Sequence, residues 1–227
     1  MDHHPFTFLS HLPLPEHTST AILVCLILIV FALRVRPKLT DTSKAIEPED
    51  GITARNVAEA FVEGMSSIAE GVIGHHYKQY VPLLATFFAF ILVSNLLGLI
   101  PGVSPPTSNS NVTFALGVTS FIAYNVYGLK ASGAKYLKHF LGPVLFLAPL
   151  LLVIELMSHA FRPLSLGIRL FANMFADHEL IRIFTELTFF GFPVIFYVLG
   201  TLVCVVQAVV FTMLTAVYIS GAVHEEH

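Results

Sequence analysis

Residues 165–175 read SLGIRLFANMF and set a fixed positive charge, Arg169, among apolar side chains, with long hydrophobic runs before and after. A charge at the centre of a membrane helix costs at least about 2.5–3.5 kcal/mol on insertion scales, so an ionisable residue placed there is a functional candidate by default. Glu155, Arg162, Asn173, Asp177, His178 and Glu179 lie within a few turns of it. The grouping points to a membrane protein that passes protons or another small cation.

Composition agrees with that class. Hydrophobic residues make up 55% of the chain and charged residues 12%, with a mean hydropathy of +0.76, outside the balance of soluble domains. The net charge is −3, and there is no long basic or acidic tract to suggest a nucleic-acid partner. Cys25 and Cys204 lie far apart in apolar runs and read as free thiols rather than a disulfide. Residues 1–18 hold His3, His4, His11 and His17 but no Lys or Arg, so they lack the basic start of a secretory signal. These scattered histidines fit a solvated segment better than a metal site, and no metal or cofactor is expected.

A helix needs about 20 mostly apolar residues to cross the hydrocarbon core. Ser19–Leu33 is a slightly short first candidate, closed by Arg34, Arg36 and Lys38. Tyr80–Ile100 is a second, ended by Pro101 and Gly102, and Val112–Leu129 a third. Pro143 to Leu187 is an unusually long fourth, interrupted by Pro163 and the charges already named. Val194–Ser220 is a fifth. Basic residues gather in two linkers: Arg34, Arg36, Lys38, Arg55 and Lys78 before the second span, and Lys130, Lys135 and Lys138 before the fourth. The positive-inside tendency then makes those linkers cytoplasmic, residues 1–18 extracytoplasmic and the terminal HEEH cytoplasmic.

Within the cytoplasmic linker 37–78, residues 55–73 form a different pattern. Val57, Phe61, Met65, Ile68 and Val72 recur at three- and four-residue steps against Glu59, Glu63 and Glu70. That spacing predicts an amphipathic helix, either lying at the membrane interface or packed on the chain's own loops. No internal or inverted repeat is visible, which counts against common secondary-transporter architectures.

On a helix turning about 100° per residue, Asn173, Arg162 and Glu155 fall within about 40° of Arg169 on one side, and Ser158 and Ser165 within about 40° on the other. His159 lies off this stripe, near about 80° by the same count. A single polar stripe on an embedded helix must meet water, a partner or both. Asp177, His178 and Glu179 wrap the helix further on and make a second polar zone. A guanidinium between two protonatable zones cannot deprotonate, so it bars a straight passage. Protons would have to detour on a mobile carboxylate of a partner. The competing reading makes Arg162-Pro163 a loop and Arg169 a topology anchor. Gln207 could likewise serve as an interhelical hydrogen bond, and Ser94 and Asn95 read as packing contacts.

Four strings carry a resemblance to a known family: PLSLGIRLFANMFADHELI (163–181), QAVVFTMLTAVYIS (207–220), NLLGLIPG (95–102) and NVTFALG (111–117). With the terminal HEEH, they make the chain resemble subunit a of the bacterial F-type ATP synthase across residues 20 to 227. The resemblance implies that Arg169 is the stator arginine facing the ring carboxylate. It implies that Asn173, Gln207 and His178 line the half-channel from the outside, and that Glu155, Ser158 and Ser165 wall the half-channel to the cytoplasm. It also implies c-ring subunits, the b subunit of the peripheral stalk and other synthase subunits as partners in the bacterial inner membrane. The chain departs from the family at Gly200, where several members carry His seven residues before the glutamine. Asp177 or Glu179 would then take the acidic role, with Glu186 at the outer mouth.

The expected fold is an all-α integral membrane protein with residues 19–227 as its membrane domain. It has five transmembrane helices plus one interfacial amphipathic helix, and the family likeness makes the last two a long tilted hairpin against the rotor ring. No phosphate-binding glycine loop is present, so the chain is expected to conduct protons for a complex rather than catalyse a reaction. A stand-alone cation-coupled transporter using Glu155 and Asp177, or a structural membrane adaptor, are the competing functions. H⁺ and Na⁺ remain alternative coupling ions.

Overall fold

Apolar helices, capped at glycines and asparagines, account for nearly all of the chain that the computed structural model describes, residues 15–40, 53–100, 102–133, 148–187 and 192–224. In chain order they are α1 (Glu16–Thr40), α2 (Ala54–Ile73), α3 (Val81–Leu97), α4 (Ser110–Ser132), α5 (Ala148–Leu187) and α6 (Phe192–His224). Short 3-10 turns at Tyr77–Gln79 and Pro106–Ser108 precede α3 and α4. His3, His4, His11, Lys135, Lys138, residues 225–227 and the side chain of Glu186 lie outside the described residues.

Local chemistry explains the boundaries. The Thr53 hydroxyl accepts the Asn56 N–H to start α2, and the Asn109 side chain accepts the Asn111 N–H to start α4, each satisfying an orphan donor of the first turn. Both helices stop where the backbone turns left-handed at glycine, at Gly74 (φ 80) and Gly133 (φ 57). α1 continues through Arg34 and Arg36, the basic residues expected to close the first span. Arginine is a good helix former, so charge there marks the membrane boundary without ending the helix.

Among the described residues, three helical stretches are long and apolar enough to cross a membrane: Glu16–Pro37, Ser110–Ala131 and Val194–Val223. Val81–Leu97 is apolar but shorter. α5 is 40 residues and α6 is 33. At 1.5 Å per residue these are about 60 and 50 Å long, against a hydrocarbon core of about 30 Å. α5 runs helically straight through Pro163.

The core lies between α2, α3, α5 and α6. Leu84 and Ile91 of α3, Leu166, Leu170 and Met174 of α5, and Ala208, Phe211 and Ile219 of α6 are buried together. The rings of Phe87 and Phe211 stand 5.6 Å apart. α2 joins this core through Met65, Ala69 and Ile73. Its Phe61 meets Phe88 of α3 at 5.7 Å, and Val72 O accepts the Ser220 hydroxyl of α6 at 3.0 Å. Residues 55–73 thus pack on α3 and α6 rather than on loops.

α4 meets α5 backbone to backbone. A β-carbon on Gly117 would stand 2.5 Å from the Pro163 carbonyl oxygen, and one on Gly167 would stand 3.2 Å from the Thr113 carbonyl oxygen. Small residues let membrane helices approach this closely, where dispersion contacts replace the absent hydrophobic drive.

Candidate functional site

α5 and α6 run antiparallel, and side chains spaced along both mark the pairing. Asp177 faces Gly200, Asn173 faces Gln207, and Arg162 faces Tyr218. Every candidate side chain of the site sits on or against this hairpin.

Arg169 is exposed on α5, and among the described residues it has no hydrogen bond or ion pair. Ser158, Ser165 and Asn173 are exposed with it, while Glu155 and Arg162 are half-buried. The stripe read from helical spacing is thus open at Ser158, Ser165, Arg169 and Asn173 and partly covered at Glu155 and Arg162. Apolar side chains flank it: Leu164, Ile168 and Phe175 on α5, and Leu202, Val205 and Val206 on α6 are all exposed. A broad apolar face with one bare guanidinium is a surface built to be covered.

One turn beyond Arg169, Asn173 Nδ2 donates to Gln207 Oε1 at 2.6 Å. Gln207 is 4% exposed, so the bond joins the open face to the bundle interior. Gln207 was read both as an interhelical hydrogen bond and as a pathway group, and this geometry allows it to be both.

The second polar zone turns inward. Asp177 is 8% exposed, and its Oδ2 has no hydrogen-bond partner among the described residues. It fills the space that Gly200 leaves: a β-carbon there would stand 2.7 Å from Asp177 Oδ2 and 3.1 Å from Leu99 Cδ2. His178 points to another glycine, since a β-carbon on Gly98 would stand 2.5 Å from its Nε2. Glu179 goes elsewhere. It accepts from Arg182 Nη2 at 2.6 Å and Nε at 3.1 Å, a three-residue helical pair that the sequence reading passed over. Of the two acids left open at the Gly200 departure, Asp177 is the one that lies beside Gly200, and Glu179 is held by a cation.

At the other end of the stripe, Glu155 Oε1 lies 3.5 Å from Nδ1 of His159. His159 is buried against the Tyr124 ring of α4, at 5.9 Å between centroids. The Arg162 guanidinium stands over Tyr124 at 5.8 Å and Tyr218 at 5.3 Å, so cation–π attraction ties α4, α5 and α6 together. Neither tyrosine was a site candidate in the sequence: their polar neighbours at helical spacing, Ser120 and Thr215, carry no charge to mark them. Asn95 is a packing group as expected: its Oδ1 accepts the buried Thr107 hydroxyl at 2.7 Å. Cys204 is buried and Cys25 exposed, both as free thiols.

The family model described as ATP synthase A chain matches residues 18–220. The chain belongs to the ATP synthase A chain family. A protein named ATP synthase subunit a from Bdellovibrio bacteriovorus is 44% identical over 212 residues, covering 93% of each chain. Proteins of the same name from Geotalea daltonii and Geobacter sulfurreducens are each 39% identical over 231 residues and 99% of both chains. As a member of the ATP synthase A chain family, the chain is a membrane subunit of the proton-conducting part of the synthase. It works in complex with other subunits and is not an enzyme by itself.

Proposed function

We propose that this chain is the stator of a rotary proton path, with Arg169 separating two offset half-channels. The observation that carries the reading is the bare Arg169 on an open apolar face of α5. Its charge has no partner within the described chain, and a partner carboxylate arriving from outside would supply one. A ring of c subunits bearing such carboxylates fits the flanking apolar face of α5 and α6. Protons reach the ring along Asn173, Gln207, Asp177 and His178, with Glu179 at the side of that path. They leave along Ser165, Ser158 and Glu155. Because guanidinium does not release its proton at accessible pH, a proton must travel on the ring rather than past Arg169.

In this reading the membrane is the bacterial inner membrane, and the b subunit of the peripheral stalk holds the chain against rotation. α1, α3, α4, α5 and α6 make five crossings, with residues 1–18 outside and the C-terminus in the cytoplasm. α5 and α6 are too long for perpendicular spans, and tilting along the ring takes up their excess length.

ATP-driven proton pumping by the whole complex in inverted membrane vesicles tests this. With Arg169→Ala, coupled pumping is lost, while passive proton leak through the membrane sector persists. Native pumping by the variant would return Arg169 to the role of a topology anchor and end the proposal.

A further inference from the structure

The buried imidazole of His159 lies off the polar stripe, and the pathway just described leaves it without a role. Ionisable side chains inside a membrane bundle are costly and rarely placed for packing alone. His159 is 7% exposed, yet its Nδ1 stands 3.5 Å from Glu155 Oε1, and Glu155 is itself half-exposed on the open stripe. Glu155 therefore has one side toward the stripe and one toward the imidazole. The other charged and titratable groups gathered here are Arg162 on α5, Tyr124 on α4 and Tyr218 on α6. Arg162 is engaged by the two tyrosine rings. The Tyr124 ring lies between α4 and α5 with His159 and Arg162 both against it.

We infer that His159 is a further proton-handling residue of the inner half-channel, exchanging a proton with Glu155 and so setting the charge that Glu155 presents to the stripe. This rests on the half-channel reading above. In the exchange, the protonated Glu155 carboxyl gives its proton to the lone pair of His159 Nδ1, leaving a carboxylate and an imidazolium. The reverse step returns the proton to Glu155 and leaves neutral imidazole. No other reactant is needed, and the pair keeps its total charge in each direction. Imidazole suits the task because its unperturbed titration lies near neutral pH, where the cytoplasmic side of the path operates.

The test is ATP-driven pumping by the whole complex in inverted vesicles, followed from about pH 5 to 8, the range in which His changes charge. His159→Gln keeps a polar side chain that cannot titrate, and His159→Phe keeps an aromatic ring against Tyr124. Both are expected to lower pumping by about tenfold or more, on the scale of a lost acid–base group, and to remove an inflection that the native profile shows in this range. In a Glu155→Gln background, His159→Gln is expected to add nothing, because the two act as one unit. Native pumping with the inflection intact in either variant would overturn the inference. So would an equal loss at every pH in both backgrounds, or failure of both variants to accumulate in the membrane, since each assigns His159 to packing. Arg169→Ala run in parallel separates the two ideas. If it abolishes coupled pumping while the His159 variants behave as native, this inference alone fails.

Discussion

Gly200 acquires its meaning from Asp177. The family resemblance makes it a departure, a glycine where several bacterial members carry histidine, and it leaves His178 without an obvious acidic partner. In the fold, the missing side chain is the pocket into which the Asp177 carboxylate reaches, with Leu99 closing the side. A methyl group added there has no room, because the nearest atoms are the carboxylate itself and the partly buried Leu99. Gly200→Ala is therefore expected to cost about 1–3 kcal/mol, the usual penalty of overpacking, and to slow pumping by displacing Asp177. A lower thermal denaturation temperature of the detergent-solubilised complex, restored in Gly200→Ala/Asp177→Ala, checks the first effect. Full stability in the single variant would mean that Asp177 is free to swing aside. Gln207 carries the same lesson. The sequence could say that it sits in an apolar helix, but not that Asn173, 34 residues away, is its partner.

At the scale of helices, α5 had two readings, a helix through Pro163 or a break with a loop at Arg162-Pro163, and the structure takes the first. Proline removes a backbone donor and crowds the preceding turn, but in membrane helices neighbouring elements absorb that defect. Separately, α4 lays its Gly117 against the Pro163 carbonyl oxygen. The close approach depends on the missing side chain, and the obstacle is backbone, which cannot rotate away. Gly117→Val is expected to push α4 off α5 and to lower the amount of assembled complex in the membrane, measured by quantitative blotting of native gels. Gly64 and Gly71 of α2 have no atom near an added β-carbon, so Ala at either serves as a neutral control. Normal assembly of Gly117→Val would show that the crossing is not tight in the membrane. α2 itself had two placements at the sequence level, because an amphipathic face fits a lipid interface and the chain's own loops equally well. Its contacts with Phe88 and Ser220 tie it to α3 and α6, while Val57 and Val62 stay exposed.

Taken whole, the molecule is a bundle with a closed interior and apolar side chains turned outward on α1, α4, α5 and α6. α2, α3 and the inner faces of α5 and α6 form a closed core, whereas Val198, Leu202, Val206, Ile168 and Arg169 look outward. The proposed five crossings make a definite prediction about which loops face which compartment. In a chain with Cys25→Ala and Cys204→Ala, Ser43→Cys is expected to react with a membrane-impermeant maleimide in inverted vesicles and to stay protected in intact spheroplasts. Ser104→Cys is expected to do the reverse. The same exposure for both positions would remove the proposed topology, whatever the role of Arg169.

Sequence by itself determined the class of this protein, the helical stripe from Glu155 to Asn173 and the place of Arg169 on that stripe. Those properties rest on local quantities: hydropathy over about 20 residues, a period of about 3.6 and the cost of a charge in hydrocarbon. Tertiary structure alone decided that Asp177 turns into the Gly200 pocket, that α2 packs into the core, and that His159 and Arg162 both lie against the Tyr124 ring of α4. Each of those outcomes depends on which helix lies opposite and how near its backbone comes. Such distances are set by packing between residues far apart in the chain, and no local periodicity records them.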